Sequence, residues 1–82
     1  MIRVKLFGNL KRVLEKSEIE IDNVKTVADL LNFISKMIKS ETLQLSNTLV
    51  IVNGIEVSTL QREETMLKDG DEIVLIPVVH GG

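Results

Sequence analysis

Apolar and polar positions alternate from the start of the chain. Ile2, Val4 and Leu6 are interleaved with Arg3, Lys5 and Phe7, and that two-residue repeat predicts a β-strand. Gly8-Asn9 ends it. Leu10, Val13 and Leu14 then fall at helical spacing and predict a short helix over 9–16. Ile19 and Ile21 around Glu20 make a second short strand, closed by an Asp22-Asn23 turn. Residues 26–39 hold the clearest helix. Val27, Leu30, Leu31, Ile34, Met37 and Ile38 share one face of a 3.6-residue repeat, with Phe33 at its margin. Thr26 is the expected N-cap. Asp29, three residues on, completes an acidic capping box and suits the positive end of the helix dipole.

The second half reads as strands and turns. Ser40 to Asn47 is polar and predicts a loop. Leu49 to Val52 is a β-branched apolar run and predicts a buried strand. Asn53-Gly54 before Ile55-Glu56-Val57 predicts a two-residue hairpin, because both turn positions need positive φ. Residues 58–68 form a long polar connection for which Leu60, Met66 and Leu67 are the expected anchors. Asp69-Gly70-Asp71 is a further tight turn, and Ile73 to Ile76 the last strand. Pro77 is expected to limit pairing beyond it.

One long helix cannot bury its stripe alone and must lie on a sheet. Pairing the first and last strands centrally beneath it gives an α+β chain with a β-grasp fold: a mixed sheet of about five strands with one main helix on one face. The body spans 1–77 and the tail 78–82. If Ile73 and Leu75 face the helix, Val74 and Ile76 face outward beside Phe7. These three form either an interaction patch or a surface covered by the short helix or the 58–68 connection.

Composition removes several function classes. The chain has 82 residues, a net charge of −2 and its ten basic residues dispersed among acids, which argues against direct nucleic-acid binding. With no Trp or Tyr and two Phe, base-stacking platforms are nearly excluded. No apolar run nears membrane-spanning length. There is no cysteine, which excludes disulfides, zinc–thiolate sites and a cysteine nucleophile. A domain this small without disulfides, and with no leader pattern after Met1, is expected in the cytoplasm. His80 is the single histidine, so no metal site is expected, nor an enzyme that acts unaided.

The remaining chemistry lies at the end. Gly81-Gly82 follows a proline-anchored strand. Two residues without side chains make a thin arm that can thread a narrow channel and present a carboxylate. A frayed terminus has the same sequence.

Four segments narrow the choice. Met1 to Gly8, Thr26 to Leu30, Val52-Asn53-Gly54, and Asp69-Gly70-Asp71-Glu72-Ile73 running through Pro77 to Gly81-Gly82 resemble the MoaD/ThiS family of ubiquitin-like sulfur carriers. They span nearly the whole chain in the expected order. A single proline before the tail, where many members have two, and the longer 58–68 connection depart from the family pattern. The His80 ending resembles eukaryotic-type and archaeal ubiquitin-like modifiers that also carry sulfur.

The resemblance implies that an E1-like enzyme, using ATP and magnesium, adenylates Gly82. A sulfur-donor protein then converts it to a thiocarboxylate for molybdopterin or tungstopterin, thiamine thiazole or tRNA thiolation. On the same resemblance the chain itself is expected to bind no cofactor. Gly81 provides clearance, and Phe7, Val74, Ile76, Pro77, Val79 and His80 are the candidate partner contacts. A molybdopterin synthase large subunit is a further implied partner. Lys11 and Arg12 either meet acidic partner residues or form a solvated surface. Conjugation to lysines through Gly82, and a β-grasp interaction module with an inert tail, remain the alternatives.

Overall fold

Ile2–Leu6 forms β1 and buries its alternate side chains Ile2, Val4 and Leu6 while Arg3 and Lys5 face away. The structure, a computed structural model, describes residues 1–39 and 42–78. After β1 come α1 (Gly8–Leu14), β2 (Glu18–Ile21), α2 (Val27–Ile38), β3 (Thr48–Val52), β4 (Ile55–Glu56), two 3-10 turns (Val57–Thr59 and Arg62–Glu64) and β5 (Glu72–Pro77). The sheet order is β2-β1-β5-β3-β4. β1 and β5 pair in parallel at the centre, and the other pairings are antiparallel. This is the β-grasp arrangement expected from the sequence.

α2 starts and stops where local chemistry dictates. The Thr26 hydroxyl accepts from Asp29 N–H at 3.2 Å, and the Asp29 carboxylate accepts from the N–H groups of Lys25 (3.0 Å) and Thr26 (3.2 Å). The reciprocal capping box is therefore complete. These bonds, with that from Lys25 N–H foremost, hold the Asp29 carboxyl below its ordinary value. At the other end Lys39 enters the left-handed region (φ 59°), and its N–H bonds Ser35 O at 3.1 Å.

Between those caps α2 buries Val27, Leu30, Leu31, Ile34 and Ile38. They meet Ile2, Val4 and Leu6 of β1, Val50 and Val52 of β3, Ile73 and Leu75 of β5, and Ile19 and Ile21 of β2 in one cluster. Each buried Leu or Ile contributes about 1.5–3 kcal/mol relative to exposure. Two positions depart from the sequence pattern. Met37, expected in the stripe, is 41% exposed, and Phe33 is exposed beside it. Both overhang the β2 edge, where the sheet ends and offers nothing to cover them.

The connection after β4 also differs. Leu60 and Met66, expected as anchors, are exposed, whereas Val57, Thr65 and Leu67 are buried. The reason is backbone pairing. Leu67 N–H donates to Lys25 O (2.8 Å) and Val27 N–H to Thr65 O (3.0 Å). An isolated bridge between Thr26 and Met66 thus seats the segment against the start of α2 and turns Met66 outward between two inward neighbours.

Candidate functional site

The sheet face opposite α2 follows from strand parity. β5 buries Ile73 and Leu75 and leaves Val74 and Ile76 half-buried on the far side. In register, Val74 stands between Lys5 and Ile51, and Ile76 stands beside Leu49. Phe7 N–H donates to Leu75 O at 3.2 Å, so β1 pairing runs one residue past Leu6↔Leu75 and brings Phe7, 47% exposed, to the level of Ile76. Phe7, Val74 and Ile76 thus share one face, joined by Leu49 and Ile51.

Leu49 and Ile51 were not expected there. A five-residue strand with an apolar residue at nearly every position must turn half of them away from the core, and that was the available signal. The two proposed covers pack mainly elsewhere, and Leu49, Ile51, Val74 and Ile76 stay half-exposed. α1 buries Leu10 in the main core and touches α2 and β5, while the 3-10 turn Arg62–Glu64 packs on α2. Towards its other end the same face becomes charged: Glu72 accepts from Arg3 (3.2 Å) and pairs with Lys5 Nζ (3.5 Å).

The apolar end of the face is also the root of the tail. Pro77 still pairs with Thr48, and Val78 N–H donates to Asn47 O at 2.9 Å. Pairing therefore continues one step past the proline that was expected to limit it, because Val78 supplies the N–H that Pro77 lacks. Asn47 is itself fixed. Its Oδ1 accepts from Gln44 N–H (2.9 Å) and the Thr48 hydroxyl (2.8 Å), and its Nδ2 donates to Thr42 O (3.1 Å). Gly8, at φ +57°, turns the chain from β1 into α1 with Pro77 Cδ 3.6 Å from where a Cβ would stand.

Lys11 and Arg12 are exposed on α1. With Glu15, Lys16 and Ser17 they line a shallow depression that begins at Gly8, the residue after Phe7. Arg12 is partly engaged by a hydrogen bond to Asn9 Oδ1. Val79, His80, Gly81 and Gly82 lie outside the described residues. Among the described residues no cluster of three or more His, Cys, Asp or Glu could hold a metal ion, and no helix is long and apolar enough to cross a membrane. What the arrangement offers chemically is positioning: an apolar seat on the strand that ends at Pro77 and Val78, with the mixed-charge depression of α1 beginning beside Phe7.

Comparison with known proteins agrees with this geometry. The profile of the ThiS family matches residues 4–82. Ubiquitin-related modifier 1 of Encephalitozoon cuniculi is 29% identical over 83 residues, covering 92% of this chain and 86% of that protein. The solution structure of small archaeal modifier protein 1 from Methanosarcina acetivorans superposes with a TM-score of 0.80 at 30% identity, covering 99% of this chain and 95% of the other. A Pyrococcus furiosus protein described as a candidate molybdopterin converting factor, subunit 1, gives 0.70 at 27% identity, covering 95% and 97%.

Proposed function

The chain belongs to the ThiS family, and from that premise we propose that it is a ubiquitin-like sulfur carrier whose reactive group is the carboxylate of Gly82. The observation that carries this reading is the placement of β5. The strand that turns Val74 and Ile76 onto the open face is the strand that leads into Gly81-Gly82. A partner seated on Phe7, Val74 and Ile76 holds the origin of the tail, and the four residues after Val78 span at most about 14 Å when extended. The reacting carbon is thereby confined to a small volume, and binding energy from the body is used for positioning.

A free carboxylate is a poor acyl donor, so activation falls to an E1-like partner. The Gly82 carboxylate attacks the α-phosphorus of magnesium-bound ATP, forming an acyl adenylate and releasing pyrophosphate. A persulfide on a donor protein adds to the carbonyl and displaces AMP. A second thiol cleaves the resulting acyl disulfide and leaves the thiocarboxylate. No cysteine of this chain is needed, consistent with its having none. Gly81 keeps the approach to the carbonyl open, while Pro77, Val79 and His80 line the partner's channel. The sulfur acceptor we favour is a molybdopterin-type precursor, converted in the cytoplasm by this chain together with a synthase large subunit. The likeness to the converting-factor subunit supports that choice.

Incubation with the host's E1-like enzyme, ATP, magnesium and a persulfide donor, followed by intact mass, tests the reading. A mass gain of one sulfur replacing one oxygen at Gly82 is expected; an unchanged mass rejects it. The names of the modifier relatives support a second reading, in which a lysine amine attacks the same adenylate. Gly-Gly remnants on lysines of cellular proteins distinguish it.

A further inference from the structure

Among the described residues β2 is an edge strand, paired only with β1. Leu6 N–H donates to Ser17 O at 2.9 Å, which makes Leu6 and Ser17 a directly bonded pair. The bonded pairs of an antiparallel ladder recur every second residue, so Ile19 and Ile21 spend their backbone groups on Val4 and Ile2. The N–H and C=O groups of Glu18 and Glu20 therefore point away from the sheet, at the free edge.

The side chains of that edge are equally specific. Glu18 and Glu20 stand on the open face opposite Lys5 and Arg3, yet both cations are drawn to Glu72 instead. Among the described residues the two edge carboxylates have no ion pair. On the other face Ile19 and Ile21, with Lys16, Glu18 and Glu20 along the edge, border a groove of about 480 Å³, walled by the exposed Phe33 and Met37 of α2.

The geometry points to the β2 edge as a strand-addition site for an extended peptide that alternates basic and apolar residues. Its bonded residues lie opposite Glu18 and Glu20 and carry the positive charges. The residue between them drops its apolar side chain onto Ile19, Phe33 and Met37. Main-chain bonds supply affinity, and the alternating side chains supply specificity. β1 presents the same alternation to the other side of β2, Arg3-Val4-Lys5 standing opposite Glu20-Ile19-Glu18, with its two cations held by Glu72. A second copy is a poor occupant. Antiparallel pairing of two β2 edges sets glutamate against glutamate, which is destabilising. The site lies at the opposite edge from β3 and β4 and does not depend on the chemistry of Gly82.

The test is amide NMR of the full chain titrated with a soluble nine-residue peptide alternating valine with lysine or arginine. A matched peptide with glutamate at the basic positions is the control. Expected are shifts and slowed exchange at the Glu18 and Glu20 amides, shifts at Phe33 and Met37, and no response to the control. The E18Q/E20Q double variant should bind about fivefold more weakly, and raised salt should weaken wild-type binding. Phe33→Ala, at an exposed position, should weaken binding while leaving the spectrum of the core intact. The proposal is overturned by no response at millimolar peptide, by equal binding of both peptides, or by shifts confined to Val74 and Ile76. Concentration-dependent shifts at β2 without peptide also overturn it, because they assign the edge to a second copy.

Discussion

Asn53 Nδ2 donates to Asp71 Oδ1 at 2.9 Å across 18 positions of sequence. The same Asn53 accepts from Glu72 N–H through Oδ1 (2.9 Å) and donates its own N–H to Glu72 O (2.8 Å). Asp71, buried although charged, also accepts from Lys68 N–H at 2.9 Å. The β3–β4 hairpin and the turn before β5 are thus one hydrogen-bonded clasp that sets where β5 begins.

Asn53→Ala is expected to lower unfolding stability by about 2–3 kcal/mol. It strands part of a buried carboxylate and puts Ala at φ +49°. Urea unfolding measures this. A loss no larger than for exposed Asn32→Ala would show that the clasp is not stabilising.

The capping box predicts an acid-side dependence. Asp29 is held below its ordinary value, so its contribution is complete above about pH 5. It is lost as pH falls from the ordinary value through the lower folded one, where the unfolded chain binds the proton more readily. Melting temperatures of wild type and Asp29→Asn should differ at pH 7 and converge towards pH 3. Thr26→Ala should cost about 1 kcal/mol at neutral pH.

Core and open face should separate cleanly. Ile34→Ala, at a position with no exposure, is expected to cost about 2–5 kcal/mol. Ile76→Glu, half-buried on the open face, should leave the fold intact but reduce the rate of adenylation-dependent charging roughly tenfold or more. Circular dichroism and single-turnover assays with the E1-like enzyme report the two effects. Wild-type charging by Ile76→Glu would remove this face from the docking surface.

Chemistry at the end of the chain predicts an all-or-none result. One uncleavable residue added after Gly82 should abolish thiocarboxylate formation in the intact-mass assay and leave the melting temperature unchanged. Sulfur incorporation by that variant would place the reactive group elsewhere.

Much of the fold was legible because its signals are local. The alternation of β1, the α2 stripe with its Thr26–Asp29 box, and the Asn53-Gly54 turn with both residues at positive φ depend on neighbours within a few positions. Legibility failed where a residue's surroundings come from distant segments. Met37 has the spacing of a core residue but overhangs the edge strand β2. Leu60 and Met66 have core chemistry, but pairing between the 65–67 segment and Lys25–Val27 turned Met66 outward. Leu43 sits in a segment that reads as a polar loop and is nevertheless buried, with its N–H bonded to the Ser35 hydroxyl at 2.8 Å.

By itself the sequence determined the element order, the caps and turns, the lack of cysteine chemistry and the Gly81-Gly82 ending, since backbone preference and side-chain period act over a few residues. Only the tertiary structure decided that Leu49 and Ile51 join Phe7, Val74 and Ile76. It alone shows Val78 still laddered to Asn47, and Arg3 and Lys5 turned to Glu72 with Glu18 and Glu20 left without an ion pair among the described residues. Those outcomes depend on strand register and on which cation reaches which anion, and both are fixed by packing residues brought together from far apart in the chain.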